Sequence, residues 1–75
     1  MDDLKVQFGK RLRTLREHKQ LIQEKLAEAA HISVDFLSLI ERGRNAPSFG
    51  VLEKLAKALE VTVKELFDFA NDKDG

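Results

Sequence analysis

Two groups of basic side chains are the residues of this 75-residue chain with the clearest chemistry. Six lysines and arginines lie from Lys5 to Lys19 against a single acid, and Arg42 and Arg44 flank Gly43. Guanidinium and ammonium groups bind phosphate oxygens, so a chain with a formal net charge of zero can still present a basic face to a polyanion. Basic segments are often only solvated helix faces, and the charge pattern by itself leaves both interpretations open.

Residue types needed for catalysis or metal binding are scarce. The chain has no cysteine, and His18 and His31 lie thirteen residues apart, so they cannot form the closely spaced pair of a helical metal site. Neither histidine has an acid or nucleophile arranged with it, and we predict no catalytic residue, no metal and no cofactor. No apolar run approaches the roughly 18 residues of a membrane span. We expect a cytoplasmic protein with no membrane partner and no small-molecule effector.

Apolar residues recur three and four positions apart, which is the spacing of one face of an α-helix. In the first segment these positions are Leu4, Phe8, Leu12 and Leu15. The predicted helix caps are Asp2 or Asp3, Ser33, Ser48 and Thr62. No alternating pattern typical of strands occurs, so the sequence predicts an all-α, five-helix bundle in one domain, 1–75. We place its helices at about 3–19, 23–30, 34–41, 49–59 and 63–70.

The second and third predicted helices are separated by about three residues, which is typical of a helix-turn-helix over about 23–41. The chain contains, in this order, the stretches Phe8-Gly9-Lys10-Arg11-Leu12-Arg13-Thr14-Leu15-Arg16, Gln23-Glu24-Lys25-Leu26-Ala27, Ile32-Ser33, Leu37-Ser38, Ile40-Glu41-Arg42-Gly43, Pro47-Ser48, Leu55-Ala56-Lys57-Ala58-Leu59 and Glu65-Leu66-Phe67. This order of residues resembles the phage-repressor family of helix-turn-helix domains, the Cro-like or Xre-type regulators. The resemblance implies a lambda-repressor-like bundle whose third helix enters the major groove of DNA.

Several matched positions have structural roles in such a domain. The resemblance implies an internal ion pair between Arg16 and Glu41, which would tie the first helix to the end of the third. The expected core residues are Leu26, Ile32, Leu37, Ile40, Leu52, Leu55 and Leu59. For the first predicted helix, we favour a solvated face as the role of Lys10, Arg11 and Arg13.

The resemblance also implies which residues touch DNA. The expected phosphate contacts are Gln23, Ser33, Arg42, Arg44 and Asn45, and the expected base contacts are Val34, Asp35, Phe36, Ser38 and Leu39. The apolar members of the second set suit thymine methyl groups, and Asp35 suits cytosine N4. Two alternatives stay open: Gln23 packs across the turn, or Asp35 only stabilises its own helix.

This chain departs from the family pattern at two positions. Ile22 stands where the family often has a capping Ser or Thr, and it cannot cap the second helix. His31 stands where the family usually has Gly in the turn, although His tolerates the left-handed backbone region better than most residues.

The resemblance implies a transcriptional regulator that binds double-stranded DNA, and we predict a repressor that acts as a homodimer. The candidate dimer residues, all apolar and near the C-terminus, are Val61, Val63, Leu66, Phe67 and Phe69. In the alternative interpretation, all five residues complete the core. Two other functions also stay open: a protein-interaction module that uses an apolar patch on the third helix, and an antitoxin component.

Overall fold

Five α-helices and a short closing turn make up the computed structural model, which describes residues 3–71 of the chain. The prediction of an all-α, five-helix fold is confirmed, and no strand occurs between residues 3 and 71. In chain order the elements are α1 (Leu4–His18), α2 (Gln23–Ala29), α3 (Val34–Glu41), α4 (Phe49–Leu59), α5 (Val63–Leu66) and a 3₁₀ turn (Phe69–Asn71). None of these helices is long and apolar enough to cross a membrane.

Short polar side chains begin four of the five helices. Asp3 accepts the backbone N–H of Val6 at 3.0 Å and starts α1. The hydroxyls of Ser33 and Ser48 accept in the same way at the starts of α3 and α4, and Thr62 forms a capping box at α5. Such caps supply partners to backbone donors that a helix leaves unpaired. Asp2, the other candidate cap of α1, lies outside the described residues.

The core lies between all five helices, and its large side chains are mostly leucine. Its fully buried large side chains are Leu12, Leu26, Leu37, Ile40, Leu55, Leu59 and Leu66. Three positions differ from the predicted apolar positions: Leu15 and Ile32 are only partly buried, and Leu4 remains 58% exposed. Leu4 sits in the first turn of α1.

The fifth helix is shorter than the predicted 63–70, because it ends at Leu66. The chain then turns so that the ring of Phe67 packs on Phe8, with centroids 5.1 Å apart, and Phe69 packs on Phe67 at 6.1 Å. Aromatic packing against α1 outweighs continuation of a short helix. Leu66 is fully buried in this monomer. This burial matches the alternative in which the C-terminal apolar residues complete the core, and it leaves Leu66 no exposed surface in the monomer for a dimer contact.

Arg11 is buried, whereas the sequence favoured a solvated position for it. Its Nε donates a hydrogen bond to the backbone carbonyl of Glu65 at 2.9 Å, and only 7% of the residue is exposed. Glu65 lies 54 residues further along the chain, so spacing in the sequence could not indicate this contact. The bond connects α1 to α5 and satisfies a carbonyl near the end of a short helix.

Candidate nucleic-acid interface

The connection between α2 and α3 is a tight turn with one residue in the left-handed region. His31 has a φ of 56°, and its N–H donates to the carbonyl of Glu28 at 3.2 Å. The next N–H, that of Ile32, donates to Ala27 at 3.0 Å. His31 is exposed and thus adopts the conformation for which the family usually uses Gly, without a Cβ clash against the core. The turn holds α3 at a defined angle to α2.

One face of α3 points away from the core. A helix rotates by about 100° per residue, so side chains three, four and seven positions apart share a face. Asp35, Ser38, Leu39 and Arg42 have this spacing, and we call them the outer face of α3. Asp35 and Arg42 are exposed, while Ser38 and Leu39 are partly exposed. The opposite face carries the buried side chains of Leu37, Ile40 and Glu41.

The other two expected base contacts lie on the flanks of α3. Val34 and Phe36 are each one position from Asp35, which places them about 100° to either side of it. Both side chains are partly buried and pack against the core. Only part of each side chain therefore remains accessible to a ligand. The side chains of the outer face, in contrast, do not belong to those packed against the core cluster. The structure thus separates five residues that the sequence treated alike.

A buried ion pair holds the two ends of the helix-turn-helix to α1. The Nε of Arg16 donates to Glu41 Oε2 at 2.7 Å, and Nη2 donates to Oε1 at 3.0 Å. The side chains are 11% and 3% exposed, respectively. Arg16 Nη1 also donates to the carbonyl of Leu21 at 2.8 Å. The hydrogen bond to Glu41 raises the pKa of Arg16 above its ordinary value, despite the opposing effect of burial.

Gln23 belongs to the same network. Its Nε2 donates to Glu41 Oε1 at 3.0 Å, across the turn from α2 to the end of α3. This contact matches the alternative in which Gln23 packs across the turn. Its amide retains a second N–H, because a side-chain amide carries two donors. Ile22 accepts no backbone hydrogen bond through its side chain at the start of α2, as expected for an apolar residue.

The loop after α3 carries the least neutralised arginines. Gly43 has a φ of 76°, and a Cβ there would lie 2.9 Å from Val6 Cγ2, so a glycine is needed for the loop to turn against α1. The backbone N–H of Arg44 donates to Leu39 at 2.9 Å. Arg42, Arg44 and Asn45 are all exposed. Arg42 Nε makes only a long hydrogen bond, 3.4 Å, to the carbonyl of Ser38.

Four basic residues of α1 and its end differ from those of the loop because they already have acidic or carbonyl partners. Arg13 pairs with Glu17 at 3.1 Å, and Lys19 pairs with Glu60. The guanidinium groups of Arg11 and Arg16 donate to the carbonyl of Glu65 and to the carboxylate of Glu41, respectively. Within residues 3–71, the side chain of Arg44 makes no hydrogen bond or ion pair. Positive charge beside α3 is therefore available to an external anion, and much of the charge on α1 is not.

An exposed apolar patch lies next to this loop. It surrounds a cleft and contains Leu4, Pro47, Phe49 and Phe67, which we call the apolar patch. Phe49, the first residue of α4, is 86% exposed. The sequence analysis identified only Phe67 of these four as an interaction residue. Phe49 lies three residues before the buried Leu52, so helical spacing gave no signal that it is exposed.

Comparisons with known proteins agree with this geometry. The family model described as a helix-turn-helix domain matches residues 7–68. The HTH-type transcriptional regulator DdrOP3 of Deinococcus deserti is 45% identical over 58 residues, which are 77% of this chain and 45% of that protein. Control protein C.MunI of a Mycoplasma species is 38% identical over 68 residues, which are 89% of this chain and 92% of that protein. The chain thus spans less than half of the first relative and most of the second.

A solved structure extends the comparison to three dimensions. The restriction-modification controller protein C.AhdI from Aeromonas hydrophila superimposes with a TM-score of 0.82 at 41% identity. The match covers 84% of this chain and 96% of that one. The arrangement of helices around the turn is therefore shared, as well as the order of residues.

Proposed function

The chain belongs to the helix-turn-helix domain family, and from that premise we propose that it is a transcriptional regulator that binds double-stranded DNA and represses. Recognition places α3 in the major groove, with its outer face toward the bases. Arg42, Arg44 and Asn45 then contact phosphates beside the groove, together with Gln23 and Ser33. This docking puts the protein at its DNA target in the cytoplasm, where it occludes polymerase.

The observation that carries this proposal is the pairing of an exposed outer face with unneutralised arginines directly after it. Arg44 has no partner among the described residues, and Arg42 has only a long bond to its own helix. Phosphate contacts position a protein on a duplex, while base contacts supply specificity. The similarity of the chain to a restriction-modification controller protein and to an HTH-type transcriptional regulator supports a DNA ligand over a purely structural role for these arginines.

Selection from a random pool of duplexes tests the proposal. The purified protein is mixed with the pool, bound DNA is separated in a gel, and the retained sequences are read. We expect a short inverted repeat to be enriched and its affinity to fall steeply with salt, because bound phosphates release counterions. A protein that retains no duplex at low salt, or retains all sequences equally, would contradict sequence-specific regulation.

Removing both loop arginines should weaken binding to every sequence. For Arg42→Ala combined with Arg44→Ala, we expect affinity to fall at least tenfold, and the slope of log affinity against log salt to decrease by about 1.8, since each phosphate contact contributes about 0.9. Fluorescence anisotropy at several salt concentrations measures both quantities. The matched control is Lys54→Ala with Lys57→Ala, which removes two exposed charges from α4. An equal loss in the control would show that only total charge matters.

We infer that the regulator binds as a homodimer. A single domain of this size reaches few base pairs, and helix-turn-helix dimers bind half-sites about 34 Å apart. The apolar patch supports this inference, because exposed apolar surface beside the DNA-facing loop favours contact with a partner. Among the five dimer candidates, Phe67 lies in the patch, Val61 and Phe69 pack partly against the core, and Val63 is exposed on α5.

Phe49→Glu should convert the dimer to a monomer and weaken DNA binding at least tenfold. Phe49 is mostly exposed, so the substitution removes little packing from the monomer and should leave its thermal unfolding nearly unchanged. Size-exclusion chromatography with light scattering measures the mass. The control is Val63→Glu, which places the same charge at an exposed apolar residue outside the patch. If Val63→Glu dissociates the dimer and Phe49→Glu does not, the contact lies along α5 instead. A wild-type monomer at high concentration would contradict dimerisation itself.

A further inference from the structure

The outer face of α3 has an unusual combination of groups for reading bases. Asp35 provides a carboxylate that only accepts hydrogen bonds, Leu39 provides an isobutyl group, and Ser38 provides a hydroxyl that donates or accepts. No Arg, Lys, Asn or Gln lies among them, so the bidentate donor groups that read guanine or adenine are missing from the centre of this face. Arg42 lies at its far end, where the loop begins.

Asp35 and Leu39 are four residues apart, so they are neighbours on the helix surface. Their Cβ atoms are about 5–6 Å apart in such a pair. Asp35 is exposed, and its carboxylate accepts none of the side-chain hydrogen bonds found within residues 3–71. Leu39 is partly exposed and does not belong to the apolar side chains packed against the core cluster. An acceptor and an apolar surface are therefore presented side by side on the exposed part of α3.

Only some base edges fit such a pair. In the major groove, cytosine presents an N4 amino donor, while guanine presents two acceptors that would repel a carboxylate. Adenine presents a donor next to the N7 acceptor, which disfavours a carboxylate that faces both. A leucine side chain is complementary to a methyl group at pyrimidine C5. The pair thus favours pyrimidines on the strand that it faces.

We propose that Asp35 and Leu39 read a cytosine amino group next to a C5-methyl group in the major groove, an inference that rests on the proposed function. Asp35 accepts from cytosine N4, and Leu39 covers the methyl group. Two sources supply this chemistry: a thymine adjacent to the cytosine, or methylation of the cytosine itself at C5. In either case, DNA affinity depends on a single methyl group that carries no hydrogen-bonding atom.

The test uses the duplex enriched by selection, with bases replaced one at a time in each half-site. Replacing a thymine by uracil removes the methyl group alone, and replacing a cytosine by 5-methylcytosine adds one. Burial of one methyl group contributes about 0.8 kcal/mol, which corresponds to about fourfold in affinity. We expect uracil at one position to weaken binding about fourfold if thymine is the source. We expect 5-methylcytosine to strengthen binding by a similar factor if the methylated base is the source.

Two variants assign the effect to residues. Leu39→Ala should remove the response to methyl groups, so that thymine and uracil duplexes bind equally. Asp35→Asn should shift the preferred base from cytosine toward adenine, because an amide pairs with adenine N6 and N7. Asp35 is exposed, so Asp35→Asn should retain the fold, and circular dichroism checks both variants.

The outcomes separate this inference from the proposed function. If the wild-type protein binds no duplex, both are overturned. If it binds a selected site and neither uracil nor 5-methylcytosine changes affinity at any position, the inference alone is overturned. The same holds if the methyl response survives Leu39→Ala, because another side chain then covers the methyl group.

Discussion

Replacing Arg16 by alanine should lower the free energy of unfolding by about 3–5 kcal/mol, because it leaves the carboxylate of Glu41 buried without its charge partner. The Glu41 side chain is 3% exposed and would retain only the Gln23 amide among the donors that now surround it. The loss of the hydrogen bond to Leu21 would add to the effect. Urea denaturation followed by circular dichroism measures the change.

Arg13→Ala is the matched control for this prediction. It removes the same side chain from the same helix, but Arg13 is 63% exposed and pairs with a neighbour on α1. Surface pairs of this kind contribute only about 0.3–0.5 kcal/mol, so the control should be nearly neutral. Comparable losses in the two variants would show that the Arg16–Glu41 pair has no special role in stability.

The loss of unfolding free energy caused by Arg16→Ala should be the same at neutral and at mildly alkaline pH. Because the pKa of Arg16 is raised in the folded state, its contribution is complete below its unfolded pKa and is lost only as the pH rises through the higher folded value. That range lies far above the conditions of the experiment. A difference between wild type and Arg16→Ala that disappears between pH 7 and pH 9 would contradict the assignment.

Gly9→Ala should destabilise the protein by about 3 kcal/mol, although alanine is the better helix former by about 1 kcal/mol. A Cβ at Gly9 would lie 2.5 Å from the carbonyl oxygen of Ile40 and 2.7 Å from that of Glu41. Both obstacles are backbone atoms, so α1 and α3 would have to separate. The same separation would strain the Arg16–Glu41 pair, and we expect weaker DNA binding at temperatures where the variant remains folded.

Gly50→Ala should change the free energy of unfolding in the opposite direction to Gly9→Ala. Gly50 lies in the first turn of α4, and the nearest atom to an added Cβ is the hydroxyl of Ser48 at 3.8 Å. With space available, the substitution should stabilise the protein by up to about 1 kcal/mol, through helix propensity alone. Thermal and urea denaturation of both glycine variants give the comparison. If Gly9→Ala leaves the free energy of unfolding unchanged or raises it, α1 and α3 approach each other less closely than described.

Much of the fold is predictable from the sequence because the signals for it are local. Ser33, Ser48 and Thr62 each cap a helix, and each cap involves a backbone donor only three residues away. The spacing of Leu52, Leu55 and Leu59 depends only on helical geometry. The end of α5 was harder to predict, because the rings of Phe67 and Phe69 turn toward Phe8, far away in the sequence.

The candidate site was only partly predictable. The resemblance pointed to α3 and the loop after it, but it treated five α3 residues as equivalent. Their division into an outer face and two flanks required knowledge of which side of α3 the rest of the domain covers. Phe49 was missed for a similar reason: an apolar residue in a helix is expected to be buried, and only the packed neighbours show that it is not.

The amino-acid sequence by itself determined the number of helices, most of their boundaries, the caps of four of them and the family, since these depend on neighbouring residues and on the order of residue types. Tertiary structure decided what the sequence did not indicate, namely that Arg11 is buried against a distant carbonyl and that the side chain of Arg44 keeps no partner within residues 3–71. Arg11, Arg13, Arg16 and Arg44 have the same chemistry, yet the first donates to a distant carbonyl, the second pairs on the surface, the third is buried with Glu41 and the fourth has no partner within residues 3–71. The charge of a side chain is a local property, but its availability to a ligand depends on what the fold places beside it.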